Sequence, residues 1–517
     1  MLDKLKILVL GISMFCVNNL VAQAPDMEWQ KSFGGSGIEE ASGVQQTTDG
    51  GYIIVGFTQS NNANVTGNHG GKDVWIIKVD VTGNLQWQKA LGGSGNDEAF
   101  NVQQTSDGGY IFAGYTSSVN GNVTGNHGND DAWVVKLDAN GNIQWQKALG
   151  GTLQDRAADI RIAADGGYII AGFTMSNDGD VTLNHGWCDV WIVKLNSEGN
   201  KQWDKTLGGT YCDVLNCIDL TSDGGFIISG NTNSEDGDVN GGNSSINNYD
   251  IWAAKLDASG TIQWQKTLGG SDLENAYSIQ QTPDGGYFTM GFTASGDGDV
   301  TGYHGNGDMW AIKLNASGNI EWQKALGGSL IDYGYSALLT ADGGYILGGF
   351  TGANDGDVVG NHGNCDFWIL KLNAAGNIQW QKTMGGTLMD RAVSIKKTTD
   401  NGYVLAGYAW SNDGDITQNY GNDDFWVVKL SPDQSLSTDG YDKGNMVLYP
   451  NPADTVINLS FPGGVTAERI SVSDITGKIV VVQDGNNRIN TENLASGFYF
   501  VQAYLGQKVF KSRFIKD

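Results

Sequence analysis

The residues best suited to chemistry recur at fixed intervals along the chain. One polar loop reads Asp178-Gly179-Asp180-Val181-Thr182-Leu183-Asn184-His185-Gly186 and leads to Asp189. Similar loops begin at Asp236, Asp297, Asp355 and Asp413, while the first two copies carry Asn64, Asn120 and Asn122 where the others have Asp. Alternating oxygen donors over this span suit calcium, but the loop lacks the central glycine and final bidentate Glu of an EF-hand. Asp and Asn also cap turns by accepting backbone N–H groups, which is the favoured reading. All five histidines (His69, His127, His185, His304, His362) occupy one repeat position, with Tyr420 there in the last copy. Such spacing spreads them around a ring, so a turn role is expected rather than convergence on one transition metal. An acid follows every W-Q-K-x-x-G-G turn: Glu39, Asp97, Asp155, Asp213, Glu274, Asp332 and Asp390. Paired carboxylates near a channel could act as the acid and base of a glycosidase. A residue present in every repeat more often does one structural job in every repeat, and hydrogen bonding to the neighbouring unit is expected. No catalytic, cofactor or metal residue is therefore assigned.

The elements that must position these residues follow from the repeat. W-Q/D-K recurs at Trp29, Trp87, Trp145, Trp203, Trp264, Trp322 and Trp380, and D-x-W-x-x-K at Asp73, Asp131, Asp189, Asp250, Asp308, Asp366 and Asp424. Within one unit GNLQWQKALGG, EAFNVQQT, YIFAGYT and AWVVKLD read as four short strands separated by Gly, Asn and Asp turns. Units of this size need neighbours to cover their faces. The expected fold is all-β: a seven-bladed β-propeller over 27–430 with four antiparallel strands per blade. The first W-Q-K strand, from Met27, precedes any complete unit, and the last unit ends at Leu430 without one. The N-terminal strand is therefore expected to close the last blade and remove a free edge. The run W-Q-K-x-L-G-G, D-G-G-Y, D-x-W-x-x-K-L and G-N-I-Q-W resembles SBBP-type bacterial β-propeller repeats. That resemblance implies a fold and a secreted setting, and no single activity.

Lys4 and Lys6 precede the apolar run from Ile7 to Val17, and residues 1–22 read as a signal peptide cut after Ala22. Residues 431–445 read as a polar linker, and 446–517 as a small C-terminal β-sandwich. The latter carries Tyr449-Pro450-Asn451-Pro452-Ala453, Asp474-Ile475-Thr476-Gly477-Lys478, Leu494-Ala495-Ser496-Gly497-Phe498-Tyr499 and a basic final strand from Lys508 to Lys516. On those motifs it resembles a type A sorting domain of the type IX secretion system. The resemblance implies a two-membrane bacterium of the Bacteroidetes kind and the secretion machinery as partner. It also implies a cargo that is released or held at the outer-membrane surface.

The formal net charge of −26 disfavours nucleic acid and anionic lipid as partners. No later stretch is apolar enough to span a bilayer. Cys188 and Cys212 fall on one face and an oxidising compartment would permit a bridge, whereas Cys217 and Cys365 have no evident partner. Trp187 and Trp410 stand outside both Trp series; Trp187 could stack on a sugar, and packing against its own loop is the preferred reading. Few positions break the repeat, apart from an insertion in GGNSSINNYD. The expected function is therefore a non-enzymatic binding or scaffolding propeller, for polysaccharide or another surface ligand, with no cofactor beyond a possible calcium. The alternative is a secreted polysaccharide hydrolase or lyase using channel-face carboxylates.

Overall fold

The computed structural model describes residues 23–241, 248–433, 446–461, 465–474, 478–505 and 508–516. The expected signal peptide, most of the linker, part of the blade-four insertion and residues 475–477 lie outside the described residues. The chain divides into two units, of which one is 24–433.

That unit is built of seven four-stranded antiparallel sheets. Strand β1 (Met27–Phe33) comes first. Blades 1 to 6 are β2–β5 (39–91), β6–β9 (97–149), β10–β13 (155–207), β14–β17 (213–268), β18–β21 (274–326) and β22–β25 (332–384). Blade 7 holds β26–β28 (390–430), and its fourth strand is β1. Strand β1 pairs with β28 from Met27 opposite Leu430 to Phe33 opposite Phe425. The ring closes as the phase of the W-Q-K motif requires.

Burial explains the composition of each strand. The two middle strands of a blade lie between neighbouring sheets and are covered on both faces, so YIIVGFT and DVWIIKV are buried throughout. The outermost strand is partly exposed and carries the polar W-Q-K. Its Gln is not a surface residue by accident. The indole Nε1 of each D-x-W tryptophan is buried between blades and donates to that position: Trp75 to Gln88 at 2.8 Å, Trp133 to Gln146 at 2.7 Å, Trp191 to Asp204 at 3.3 Å. In blade 7 the acceptor for Trp426 comes from the closing strand, Gln30 at 3.0 Å. The W-Q-K indoles pack edge-on or tilted against the next blade, as Trp29 does on Tyr52 and Trp87 on Tyr110.

The remaining motif residues are also structural. Each D-x-W-x-x-K lysine bends under the sheet to the Asp of the D-G-G turn, as in Lys78–Asp49 at 2.9 Å and Lys429–Asp400 at 2.9 Å. Against the opposing cost of burial, hydrogen bonds from Thr47 and Thr398 and then from the lysines hold Asp49 and Asp400 well below the usual carboxylate range, at about 2. Gly56 and its equivalents sit where a Cβ would lie within 1.9 Å of the Glu40 carbonyl oxygen, so only glycine fits against the innermost strand.

The C-terminal unit holds β29 (Val447–Tyr449), β30 (Val456–Ser460), β31 (Arg469–Asp474), β32 (Ile479–Asp484), β33 (Arg488–Asn490), β34 (Gly497–Leu505) and β35 (Lys508–Lys516). They form a three-stranded sheet, β29-β30-β33, and a four-stranded sheet, β32-β31-β34-β35. Ile457, Leu459, Ile470, Val472, Val501 and Phe514 fill the space between them. The Tyr449–Ala453 motif docks on the last strand: Ile515 N donates to Asn451 Oδ1 at 2.9 Å, and Ala453 N to the Ile515 carbonyl at 2.7 Å. Asp474 and Lys478 bond each other reciprocally, Asp474 N to the Lys478 carbonyl and Lys478 N to Asp474 Oδ1. Among the described residues, no helix is long and apolar enough to cross a membrane.

Candidate functional site

The innermost strands β2, β6, β10, β14, β18, β22 and β26 line a central channel of about 460 Å³. Each carries a β-bulge after its third residue, such as the register shift between Ala41 and Gly43 opposite β3. The bulge resets the alternation of faces. The first, third and sixth positions are then buried, and the fifth is buried in β2 and β10 but only partly so in β6, β18 and β22; the fourth and fifth line the channel in every blade, and the second and seventh in some, among them Glu40, Arg156, Arg161 and Lys396.

The second, fourth and seventh columns are where the repeat breaks. The second holds Glu40, Glu98, Arg156, Val214, Asn275, Tyr333 and Arg391 in blade order. The fourth holds Ser42, Phe100, Ala158, Asn216, Tyr277, Tyr335 and Val393. The seventh holds Gln45, Gln103, Arg161, Asp219, Gln280, Leu338 and Lys396. The expectation that few positions depart from the repeat is therefore corrected. Many of the departures gather on the inner strands that line the channel, where no insertion or extra tryptophan marks them.

The seventh column shows what the channel can do. Gln45 and Gln103 accept backbone N–H groups of the next blade, from Gln104 at 2.5 Å and Ile162 at 3.1 Å. They tie together inner edges that would otherwise be unpaired. In blade 3 Arg161 takes that place, bonding Asp159 at 2.5 Å and lying 3.6 Å from Asp219 of blade 4. Lys396 of blade 7 lines the same cavity, and burial beside Arg161 lowers its pKa despite Asp159 and Asp219. Tyr277 and Tyr335 form an aromatic wall on blades 5 and 6, with ring centroids 5.0 Å apart. At the other level Arg156 bonds Asp130 at 2.5 Å and stacks over Tyr115, and burial raises Glu40.

The residues singled out from the sequence have structural jobs. The seven acids that begin the inner strands are fully buried and do not line the channel. Asp97 accepts from Gly93 N at 2.8 Å and Ser118 Oγ at 2.7 Å, and from Thr116 Oγ1. These partners lie in its own blade and the turn leading into it, not in the neighbouring blade as expected. The loop acids cap amides: Asp178 Oδ1 accepts from Thr152 N and Asp413 Oδ1 from Thr387 N, both at 2.8 Å, with Asn120 Oδ1 doing the same for Ser94 N. Among the described residues, no three His, Cys, Asp or Glu side chains converge as metal ligands. Every histidine bonds the aspartate four residues on, as His69 Nδ1 does with Asp73 at 2.6 Å and His362 with Asp366 at 2.5 Å.

Cys188 and Cys212 are disulfide-bonded, with Cα atoms 4.5 Å apart, and staple blade 3 to blade 4. Cys217 and Cys365 are free and buried. Trp187 is 75 % exposed and does not pack into its loop. Its backbone N–H donates to the Tyr211 carbonyl at 3.2 Å, beside the disulfide.

Comparison with known proteins places the C-terminal unit first. Residues 447–517 match the secretion system C-terminal sorting domain. This tail directs export through the type IX system to the cell surface or the outer environment, which makes that machinery a partner of the chain. The regulatory protein FlaEY of Caulobacter vibrioides is 25 % identical over 169 residues, 31 % of this chain. The match spans only 17 % of that relative's length. Solved structures similar to the chain include Sqt1 from Chaetomium thermophilum, with a TM-score of 0.41, 9 % identity, 79 % of this chain covered and 100 % of that one. The extracellular domain of a putative hybrid two component system from B. thetaiotaomicron gives 0.41, 10 % identity, 95 % and 60 %. The Pan2 WD40 domain of Neurospora crassa gives 0.41, 12 % identity, 77 % and 90 %.

Proposed function

We propose that this chain is an exported binding protein with no catalytic role, and that its propeller takes a small ligand or the end of a glycan chain into the central channel. One observation carries the reading: many of the side chains that differ between blades are gathered on the channel face, while nearly every other motif residue does the same structural work seven times. Fold alone does not give function, so the argument rests on that face. Its volume of about 460 Å³ suits a ligand of one or two sugar rings. The tyrosine wall offers ring faces and the charged layer below it offers directional polar contacts. Exposed Trp187 adds a stacking surface on the loop face for a longer chain. The leader and the tail together fit a Bacteroidetes protein displayed on, or shed from, the cell surface.

The test is a glycan array and saturation-transfer NMR on the full mature chain, with and without calcium, beside Ala158→Phe. Blade 2 carries Phe100 at that repeat position, so the substitution fits the scaffold and narrows the channel. Binding should be present, independent of calcium and weakened by Ala158→Phe, with no reducing ends released from any polysaccharide. Glycan cleavage would refute the reading, as would binding that ignores the narrowed channel.

A further inference from the structure

Resting on the channel as the binding site, we infer that its ligand carries a singly charged acid group, a carboxylate or a sulfate ester on a sugar-sized ring, and that Lys396 is its counter-ion. The starting point is a donor with nothing to donate to. Lys396 lines the channel, and among the described residues its ammonium makes no hydrogen bond and no ion pair within 4 Å, with Asp159 and Asp219 acting on it only at longer range. Its repeat position explains the vacancy. Gln45 and Gln103 use that position to accept an amide of the next blade. An ammonium has no acceptor and cannot do so.

The nearby acids are already engaged. Asp159 Oδ1 accepts from Asn101 at 2.5 Å, Ile160 N at 2.8 Å and Arg161 at 2.5 Å, and its Oδ2 accepts from Ile218 N at 3.1 Å. Asp219 faces Arg161 Nε. Arg161 uses Nη1 on Asp159 and the Ile160 carbonyl, leaving Nη2 without a described partner. Two cationic donors therefore share one enclosed layer and repel each other, which helps to lower the Lys396 pKa. An oxyanion between them would accept from both and relieve that repulsion. The two carboxylates in the same layer limit the charge that can enter. Asp159 and Asp219 already equal the two cations in number, so a phosphate monoester, near −2, adds twice the excess negative charge that a monoanion does. Tyr277 and Tyr335 line the same cavity with hydroxyls that bond no described residue, so a ring above the acid group finds both a stacking face and donors.

The experiment is calorimetric titration of the full mature chain with glucuronate, glucose 6-sulfate, glucose 6-phosphate and glucose, repeated for Lys396→Gln, Lys396→Arg and Ala158→Phe. Lys396→Gln installs the residue of blades 1, 2 and 5, so its thermal stability should match the parent. At least one of the two monoanions should bind more tightly than glucose and glucose 6-phosphate. Lys396→Gln should weaken that probe about tenfold or more and Lys396→Arg should largely restore it. The two acid probes separate carboxylate from sulfate recognition. If neither monoanion binds better than glucose, if the phosphate binds as tightly, or if Lys396→Gln changes nothing, the inference fails. Sensitivity of glucose binding to Ala158→Phe would then still uphold the channel. Insensitivity of every probe to Ala158→Phe would remove the channel as well.

Discussion

The seam that closes the ring should respond to charge with the opposite sign to the two seams that carry an ion pair. At every seam the residue before a blade's third strand gives its carbonyl to the first N–H of the next inner strand. Asp97 N bonds the Lys72 carbonyl at 2.6 Å, Asp155 N that of Asp130 at 2.7 Å, and Glu39 N that of Asp423 at 2.8 Å. The side chains meeting beside these bonds are complementary in two early seams: Lys72–Glu98 at 2.8 Å and Asp130–Arg156 at 2.5 Å. At the closing seam the corresponding residues are Asp423 and Glu40, two acids. Asp423 is 3 % exposed, its Oδ1 has no partner, and burial followed by the charge of Glu40 pushes its pKa from 3.8 up to about 7. A carboxyl whose folded pKa lies above its unfolded one holds a proton that the unfolded chain has released. Its cost is absent below pH 3.8, grows as pH rises through that window, and is complete above 7. Three pH units at about 1.4 kcal/mol each set a ceiling of ~4 kcal/mol, part of which belongs to the repulsion shared with Glu40. Asp423→Asn removes the charge and keeps the shape. It should stabilise the propeller by ~1–3 kcal/mol at pH 8 and by almost nothing at pH 4. Asp130→Asn is the control: the same repeat position, but loss of a bond to Arg156, so it should destabilise at pH 8. The assay is denaturant unfolding of both variants and the parent across pH 4 to 8. Destabilisation by Asp423→Asn at pH 8, or the same sign for both variants, would refute the reasoning.

Two further outcomes follow from the seams and the closing strand. Cys365 and Met389 form the same isolated parallel bridge as Cys188 and Cys212, so Met389→Cys should form a second staple between blades 6 and 7. It should add ~3 kcal/mol that a reductant removes, read as a difference in unfolding midpoint with and without dithiothreitol. Gln30→Ala and Gln88→Ala each leave a buried indole N–H unpaired and should each cost ~1–3 kcal/mol by denaturant titration. Gln30→Ala should also raise susceptibility to proteolysis near residue 33 by native-state digestion, because β1 is joined to its blade only by non-covalent contacts.

How far the sequence reveals the molecule depends on whether a residue acts seven times or once. The W-Q-K and D-x-W-x-x-K motifs expose blade number, strand order and ring closure, because indole burial and the Lys–Asp pairs leave the same mark in every unit. The His and Asp loop positions are legible as turn caps for the same reason. The sorting tail is legible because Asp474 and Lys478 bond each other locally and Asn451 is fixed by bonds to the last strand. The channel is hidden by the bulge in each inner strand. Period-two reading of EAFNVQQT keeps the second, fourth, sixth and eighth positions on one face, but the bulge brings the seventh to the channel and buries the sixth. Arg161, Asp219 and Lys396 thus stand in a column that simple alternation assigns to the packed face.

That displacement also separates two kinds of constraint. Substitution at Trp75, Gln88 or Lys78 is resisted by a packed neighbour or a buried partner, and the seven blades agree there. At the seventh position of the inner strand a side chain can bond the backbone of the next blade: Gln45 and Gln103 accept an amide there and Gln280 donates to the Ala337 carbonyl. Where Arg161 and Lys396 stand instead, that service is given up and a cation is held in an enclosed space. The ring itself gains little from Lys396, since Asp159 and Asp219 attract it only at a distance and burial beside Arg161 outweighs them. On the proposal made here the gain comes from what enters the channel, and the irregular column, not the repeated acids, is where the chemistry of this propeller should be sought.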